Sequence, residues 1–113
     1  MRVKRFVVNP LGVNCYVVYH QGEAVIVDPG EASEEILEFI QQENLQVVAI
    51  INTHGHADHI AGNGWIMEKT KAPLWIHELE APYLSDPNLH LGPMIGQEFP
   101  SVEAQRLLKA GDI

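Results

Sequence analysis

The chain has 113 residues, of which 46% are hydrophobic and 19% are charged, proportions that fit one globular domain and exclude a disordered chain. Its 15 Asp and Glu residues outnumber its seven Lys and Arg residues, and the net charge of −8 disfavours broad electrostatic binding to nucleic acid or to an anionic membrane. A single cysteine excludes an intrachain disulfide, and no apolar run has the length of a signal-peptide core or a membrane span, so we expect a cytoplasmic protein.

The first third of the chain predicts three strands, over residues 2–8, 13–19 and 24–27. These segments are rich in β-branched and aromatic residues, and the residues between them (9–12 and 20–23) are typical of turns. Because short connections join strands that are neighbours in a sheet, we expect an antiparallel meander.

Helical and extended patterns alternate after residue 30. Ser33 is a candidate N-cap for a helix that ends near Asn44, and the unbroken apolar run 47–51 is typical of a strand covered on both faces. Further elements are predicted within 63–71 (helix), 73–77 (strand), 79–84 (short helix) and 102–108 (strand or amphipathic segment). The alternation predicts an α/β fold whose mixed sheet begins with the meander.

Three of the six histidines lie between residues 54 and 59, directly after the predicted strand 47–51. In an extended loop His54, His56 and Asp58 point the same way, and open α/β sheets bind ligands at this end of their strands. Two imidazoles suit one metal such as zinc, while the adjacent carboxylate and imidazole of Asp58 and His59 suit a second. We therefore predict a metal site rather than a solvated loop or a helix cap.

Residues 53–59, Thr-His-Gly-His-Ala-Asp-His, carry a His-x-His-x-Asp-His motif, through which the chain resembles the metallo-β-lactamase superfamily of binuclear metal hydrolases. The stretches Asn-Cys-Tyr (14–16) and Val-Asp-Pro-Gly (27–30) resemble the opening of its hydroxyacylglutathione hydrolase (glyoxalase II) branch. The resemblance implies that residues 1–113 form the N-terminal half of an αββα sandwich, truncated at the C-terminus.

The resemblance also implies roles for individual residues. His54 and His56 correspond to ligands of a first metal, and Asp58 and His59 to ligands of a second, with Asp58 also orienting the attacking hydroxide. Asp28 corresponds to an aspartate that supports the site without binding metal, the alternative being a turn-forming residue before Pro-Gly. Two divalent cations are expected, with zinc favoured and iron or manganese as alternatives.

The implied function is hydrolysis of a small-molecule thioester by a metal-bound hydroxide. Persulfide dioxygenases and lactonases of the same superfamily are alternative interpretations. The segments that carry the family's remaining ligands do not occur before Ile113. A further alternative is therefore a catalytically inactive metal-binding fragment, or a half-domain that associates with itself as a homo-oligomer.

Three other residues have simpler interpretations. We interpret His77 as a structural or pocket-rim histidine and His90 as a surface-loop residue. Cys15 falls within a predicted strand, so we interpret it as a small buried apolar residue rather than a nucleophile.

Overall fold

The computed structural model describes residues 2–8, 13–30, 33–53, 60, 62–84, 86, 104 and 106–108. Within them the elements are β1 (Arg2–Val8), β2 (Val13–His20), β3 (Glu23–Val27), α1 (Glu34–Gln42), β4 (Gln46–Asn52), α2 (Asn63–Thr70), β5 (Leu74–His77), a 3-10 helix (Ala81–Leu84) and β6 (Arg106–Leu108). No helix in these ranges is long and apolar enough to cross a bilayer.

These strands form one sheet in which spatial order follows chain order from β1 to β6. The β1–β2 and β2–β3 pairs are antiparallel, whereas the β3–β4, β4–β5 and β5–β6 pairs are parallel. Parallel neighbours need a crossover connection, which α1 supplies between β3 and β4 and α2 supplies between β4 and β5. The predicted meander and the α/β fold are confirmed, and the carboxyl ends of β3, β4 and β5 lie along one edge of the sheet.

The connection between β2 and β3 is a two-residue turn. Gln21 and Gly22 both adopt positive φ, at 51° and 83°. Two consecutive residues of this kind form the type I′ turn whose twist matches that of the flanking strands. The turn therefore sets the register in which Tyr19 lies opposite Ala24.

The core lies between the sheet and the helices. Apolar side chains of the strands pack against Ile36 and Ile40 of α1 and Ile66 of α2 in one cluster. The ring of Phe39 in α1 contacts Phe6 and Tyr19 edge-to-face, with centroid separations of 5.8 Å and 5.4 Å. Both helices therefore pack on the same face of the sheet.

The opposite face of the sheet is more open than the sequence indicates. The run 47–51 is expected to be covered on both faces, but Val48 is 38% exposed, so this prediction is wrong at that position. Val3 and Val7 alternate with the buried Phe6 along β1 and are 59% and 63% exposed. The reason is that α1 and α2 cover only one face.

The helices follow the prediction with two differences. Ser33 is the N-cap residue of α1, but its hydroxyl makes no capping hydrogen bond. Asn44, the predicted stop, has a positive φ of 53°. The predicted helix 79–84 is a 3-10 helix confined to Ala81–Leu84, because a single turn beginning Ala-Pro is too short for α-helical bonds.

Candidate metal centre

The window 54–59 begins at the carboxyl edge of the sheet. Val27 of β3 lies opposite Ile51 of β4, and Asn52 lies opposite Ile76 of β5, so the residues after these strands share one edge. The predicted ligands His54, His56, Asp58 and His59 lie outside the described residues, and their roles stay predictions.

Asp28 holds the residue that precedes the window. Its carboxylate accepts a hydrogen bond of 2.7 Å from the backbone N–H of Thr53 and another from the Thr53 hydroxyl, although only 4% of Asp28 is exposed. Its own N–H donates to the carbonyl oxygen of Ile51 at 2.9 Å. A buried carboxylate is tolerated when such donors replace water. Asp28 therefore joins β3 to the start of the window, as a supporting residue would, while its link to a metal stays a prediction.

Asn52 and Asn63 pair across the two ends of the window. The Nδ2 group of Asn52 donates to Oδ1 of Asn63 at 3.1 Å, and Nδ2 of Asn63 donates to Oδ1 of Asn52 at 2.7 Å. The two residues are 4% and 1% exposed. Sequence analysis missed this pair, for which the only signal is an asparagine at each side of a ligand-rich loop.

The far end of the window is also bound to the segment directly after β3. The N–H of Gly62 donates to the carbonyl oxygen of Pro29 at 2.8 Å. Ile60, two residues earlier, is 2% exposed and belongs to the core cluster. The Asp28–Pro29 segment thus contacts the chain both before and after the predicted ligands.

His77 follows the same edge at the end of β5. Its Nδ1 accepts a hydrogen bond of 3.1 Å from the N–H of Leu79, which places the proton of the neutral ring on Nε2. The bond supports the structural interpretation of this half-buried histidine. His90, the other histidine outside the window with a predicted role, lies outside the described residues.

Among the described residues, no three His, Cys, Asp or Glu side chains come close enough to hold a metal. The predicted metal centre therefore depends on the window 54–59.

Cys15 is fully buried in β2. Burial, and secondarily the charge of Asp28, raise the pKa of its thiol to about 12. The thiol is therefore protonated at neutral pH and is a poor nucleophile. The interpretation of Cys15 as a buried apolar residue is confirmed.

The chain is similar to known proteins in both sequence and fold. The sequence profile of the Metallo-beta-lactamase superfamily matches residues 8–111. The chain belongs to this superfamily, whose members bind divalent metal ions, typically two.

Two of the proteins that are similar in sequence are named as hydrolases. The chain is 31% identical over 110 residues to the probable metallo-hydrolase YqgX of Bacillus subtilis, covering 96% of this chain and 52% of that protein. It is 37% identical over 60 residues to a hydroxyacylglutathione hydrolase of Nitrosomonas europaea, covering 53% of this chain and 22% of that one. The match to the glyoxalase II branch is thus partial, whereas the match to metallo-hydrolases is broad.

Two solved structures share the fold. The B3 metallo-beta-lactamase BLEG-1 superposes with a TM-score of 0.87 at 30% identity, over 96% of this chain and 54% of that one. TTHA1623, in a di-iron-bound form, superposes with a TM-score of 0.84 at 28% identity, over 97% and 56%. The chain spans about half the length of YqgX and of both these structures.

Proposed function

We propose that this chain carries the first metal ligands of a metal-dependent hydrolase, with His54, His56, Asp58 and His59 as the donors. The observation that supports the proposal is that both ends of the window 54–59 are fixed at the carboxyl edge of the sheet. Thr53 is fixed by Asp28, and Gly62 by Pro29. This edge is where open α/β sheets bind their ligands.

The donor set fits a pair of divalent cations. Three imidazoles and one carboxylate within six residues are ligands that zinc, iron and manganese accept, and the imidazole majority favours zinc. The di-iron-bound relative makes iron the first alternative. When bound, such cations polarise a substrate carbonyl and lower the pKa of water towards neutrality.

The described residues contribute position rather than proton transfer. Asp28 uses its carboxylate oxygens to hold Thr53, so the residue directly before His54 has a fixed backbone position. Pro29 does the same for Gly62 through its carbonyl oxygen. Ligands whose flanking backbone is fixed lose less conformational entropy when they bind a cation.

We further propose a thioester as the substrate, as the partial match to a hydroxyacylglutathione hydrolase suggests. A thiolate leaves without a strong general acid, so thioester hydrolysis needs few groups beyond the metal centre. Lactones and persulfides are the alternatives.

The first experiment is the metal content of the purified chain after exposure to Zn²⁺ and gel filtration, measured by plasma mass spectrometry. We expect bound zinc in the wild type, its loss in the His54→Ala/His56→Ala variant, and no change in His20→Ala, which alters an exposed histidine at the other end of the sheet. Wild-type protein with no bound metal would overturn the proposal.

The second experiment separates catalysis from binding. The zinc-loaded chain is assayed with an S-hydroxyacyl glutathione thioester and with a lactone. Thioester hydrolysis that disappears in the double variant supports the hydrolase. Bound zinc without turnover of either substrate instead supports a non-catalytic metal-binding chain, a second candidate suggested by its covering about half the length of its relatives.

A further inference from the structure

We propose that Asn52 and Asn63 are positioning residues whose paired amides set the separation and mutual orientation of the two ends of the window 54–59, and thereby prepare it for metal binding. This inference depends on the proposed metal-binding function. It assigns a role to two residues that are themselves outside the motif.

The geometry of the pair fixes more than a distance. Its two hydrogen bonds, of 3.1 Å and 2.7 Å, run in opposite directions between two planar amide groups. One hydrogen bond allows rotation about its axis. Two hydrogen bonds side by side between planar groups restrict both the rotation of the groups and their separation. The pair therefore defines a relative orientation.

The pair joins two regular elements. Asn52 is the last residue of β4 and Asn63 is the first residue of α2. They lie 11 residues apart, with the whole ligand motif between them. Of the contacts described at the ends of the window, this one joins the ends directly to each other, whereas those of Asp28 and Pro29 join each end to the segment directly after β3.

The stability of the fold alone does not require amide side chains at positions 52 and 63. The two residues are 4% and 1% exposed, and a buried amide must recover in hydrogen bonds what it loses in water. Two apolar side chains of the same shape can be nearly neutral replacements for such a pair. An apolar pair, however, makes no directional hydrogen bonds and so does not fix the mutual orientation of the two ends of the window, which a set of metal ligands needs.

The test compares three variants: Asn63→Leu, Asn52→Leu, and the double variant Asn52→Leu/Asn63→Leu. Two quantities are measured for each, namely urea unfolding of the metal-free chain and the dissociation constant of Co²⁺ from its visible absorption. Each single variant leaves one buried amide without its partner, so both unfold at lower urea concentration. The double variant recovers much of that stability.

The decisive comparison is in the double variant. We expect its Co²⁺ affinity to stay about ten- to a hundredfold below that of the wild type, the usual effect of altering groups that orient metal ligands, and its Co²⁺ spectrum to change. If affinity and spectrum return to wild-type values together with stability, the amides are merely structural and the inference is overturned.

A matched control removes packing far from the window. Ile40→Val trims a buried side chain in α1, and it should lower the urea midpoint while leaving the Co²⁺ affinity unchanged. A parallel loss of affinity in this control would attribute the effect to global stability and overturn the inference. Wild-type chain that binds no Co²⁺ would overturn the metal-binding function as well, whereas failure in the double variant alone would leave that function standing.

Discussion

The charge of Asp28, the residue directly after β3, acts on the thiol of Cys15 in the neighbouring strand β2. Tyr16 lies opposite Val27 in the antiparallel β2–β3 pair, so the next positions in that register are Cys15 and Asp28. Burial is the larger cause of the raised pKa of Cys15, and the carboxylate adds to it. The same aspartate that holds Thr53 thus also acts on the buried side of the sheet.

The raised pKa of Cys15 predicts a loss of stability in alkali. The folded thiol holds its proton more tightly than the unfolded thiol, whose pKa is near the ordinary 9.0. The protonated thiol therefore makes its full contribution to the free energy of unfolding below pH 9. This contribution is lost as the pH rises towards 12, by an amount on the order of 4 kcal/mol at full titration. Urea unfolding between pH 8 and pH 10.5 should show the onset, and the Cys15→Ala variant should lack this component. An equal alkaline slope in that variant would contradict the assignment.

Burial also predicts that Cys15 resists thiol reagents. At pH 8 the folded chain should react with an aromatic disulfide reagent orders of magnitude more slowly than the urea-unfolded chain, because both access and ionisation are suppressed. The measurement is the rate of absorbance change with and without urea. Rapid reaction of the folded chain would show that β2 opens easily.

Replacing Asp28 with asparagine should destabilise the start of the window. The substitution keeps the size and the tolerance of positive φ (57° here), but it removes the negative charge that strengthens both hydrogen bonds from Thr53 and leaves one acceptor oxygen in place of two. We expect a loss of about 1–3 kcal/mol in urea unfolding. The pKa of Cys15 should fall in the same variant because the nearby negative charge is gone.

The matched control for Asp28→Asn is Glu38→Gln, which removes one negative charge from an exposed position of α1. It should change the free energy of unfolding by less than about 0.5 kcal/mol. If the two variants behave alike, net charge rather than the Thr53 contact explains the effect.

The β2–β3 turn offers a test of backbone strain alone. Gly22 has a φ of 83°, and a Cβ built there meets no described atom within 4 Å, so Gly22→Ala adds strain without a clash. We expect a loss of about 1–2 kcal/mol. Gln21→Asn should instead stabilise the turn by a few tenths of a kcal/mol, since Asn-Gly is favoured in type I′ turns. Thermal unfolding of both variants checks the opposite signs.

The open sheet face predicts self-association. Val3 and Val7 are 59% and 63% exposed on the face opposite α1 and α2, and a second copy of the chain would offer the same apolar surface. Light scattering after gel filtration should give a mass above that of one chain, and Val3→Lys/Val7→Lys should lower it. The control Gln41→Lys/Gln42→Lys adds the same charge to an exposed end of α1 and should not. A monomeric wild type would contradict this prediction.

Most of the fold could be predicted because its signals are local. The strands of the meander are bounded by turn residues, and Asn44 marks the end of α1 by its own conformational preference. The exposure of Val48 could not be predicted in this way. An unbroken apolar run shows that a strand is hydrophobic, but which face the helices cover depends on the crossovers.

The site residues likewise fall into those that local sequence reveals and those that only tertiary packing reveals. The ligand motif is visible because its residue types and spacing are themselves the chemistry, and Asp28 is visible through its Pro-Gly context. The amide pair of Asn52 and Asn63 is not, because asparagine is usually a surface or turn residue and only tertiary packing buries it. A contact of this kind joins two elements, and the sequence pattern within either element carries little information about it.

The position of the amide pair has a consequence for folding order. Its partners are separated by 11 residues, against 25 for Asp28 and Thr53, a difference worth about 0.7 kcal/mol in chain-closure entropy. The ends of the window can therefore meet within the β4–α2 segment, before β3 is aligned beside β4. We expect this segment and the β2–β3 hairpin to form early as separate local units, and the parallel pairing of β3 with β4, whose partners are more distant along the chain, to follow.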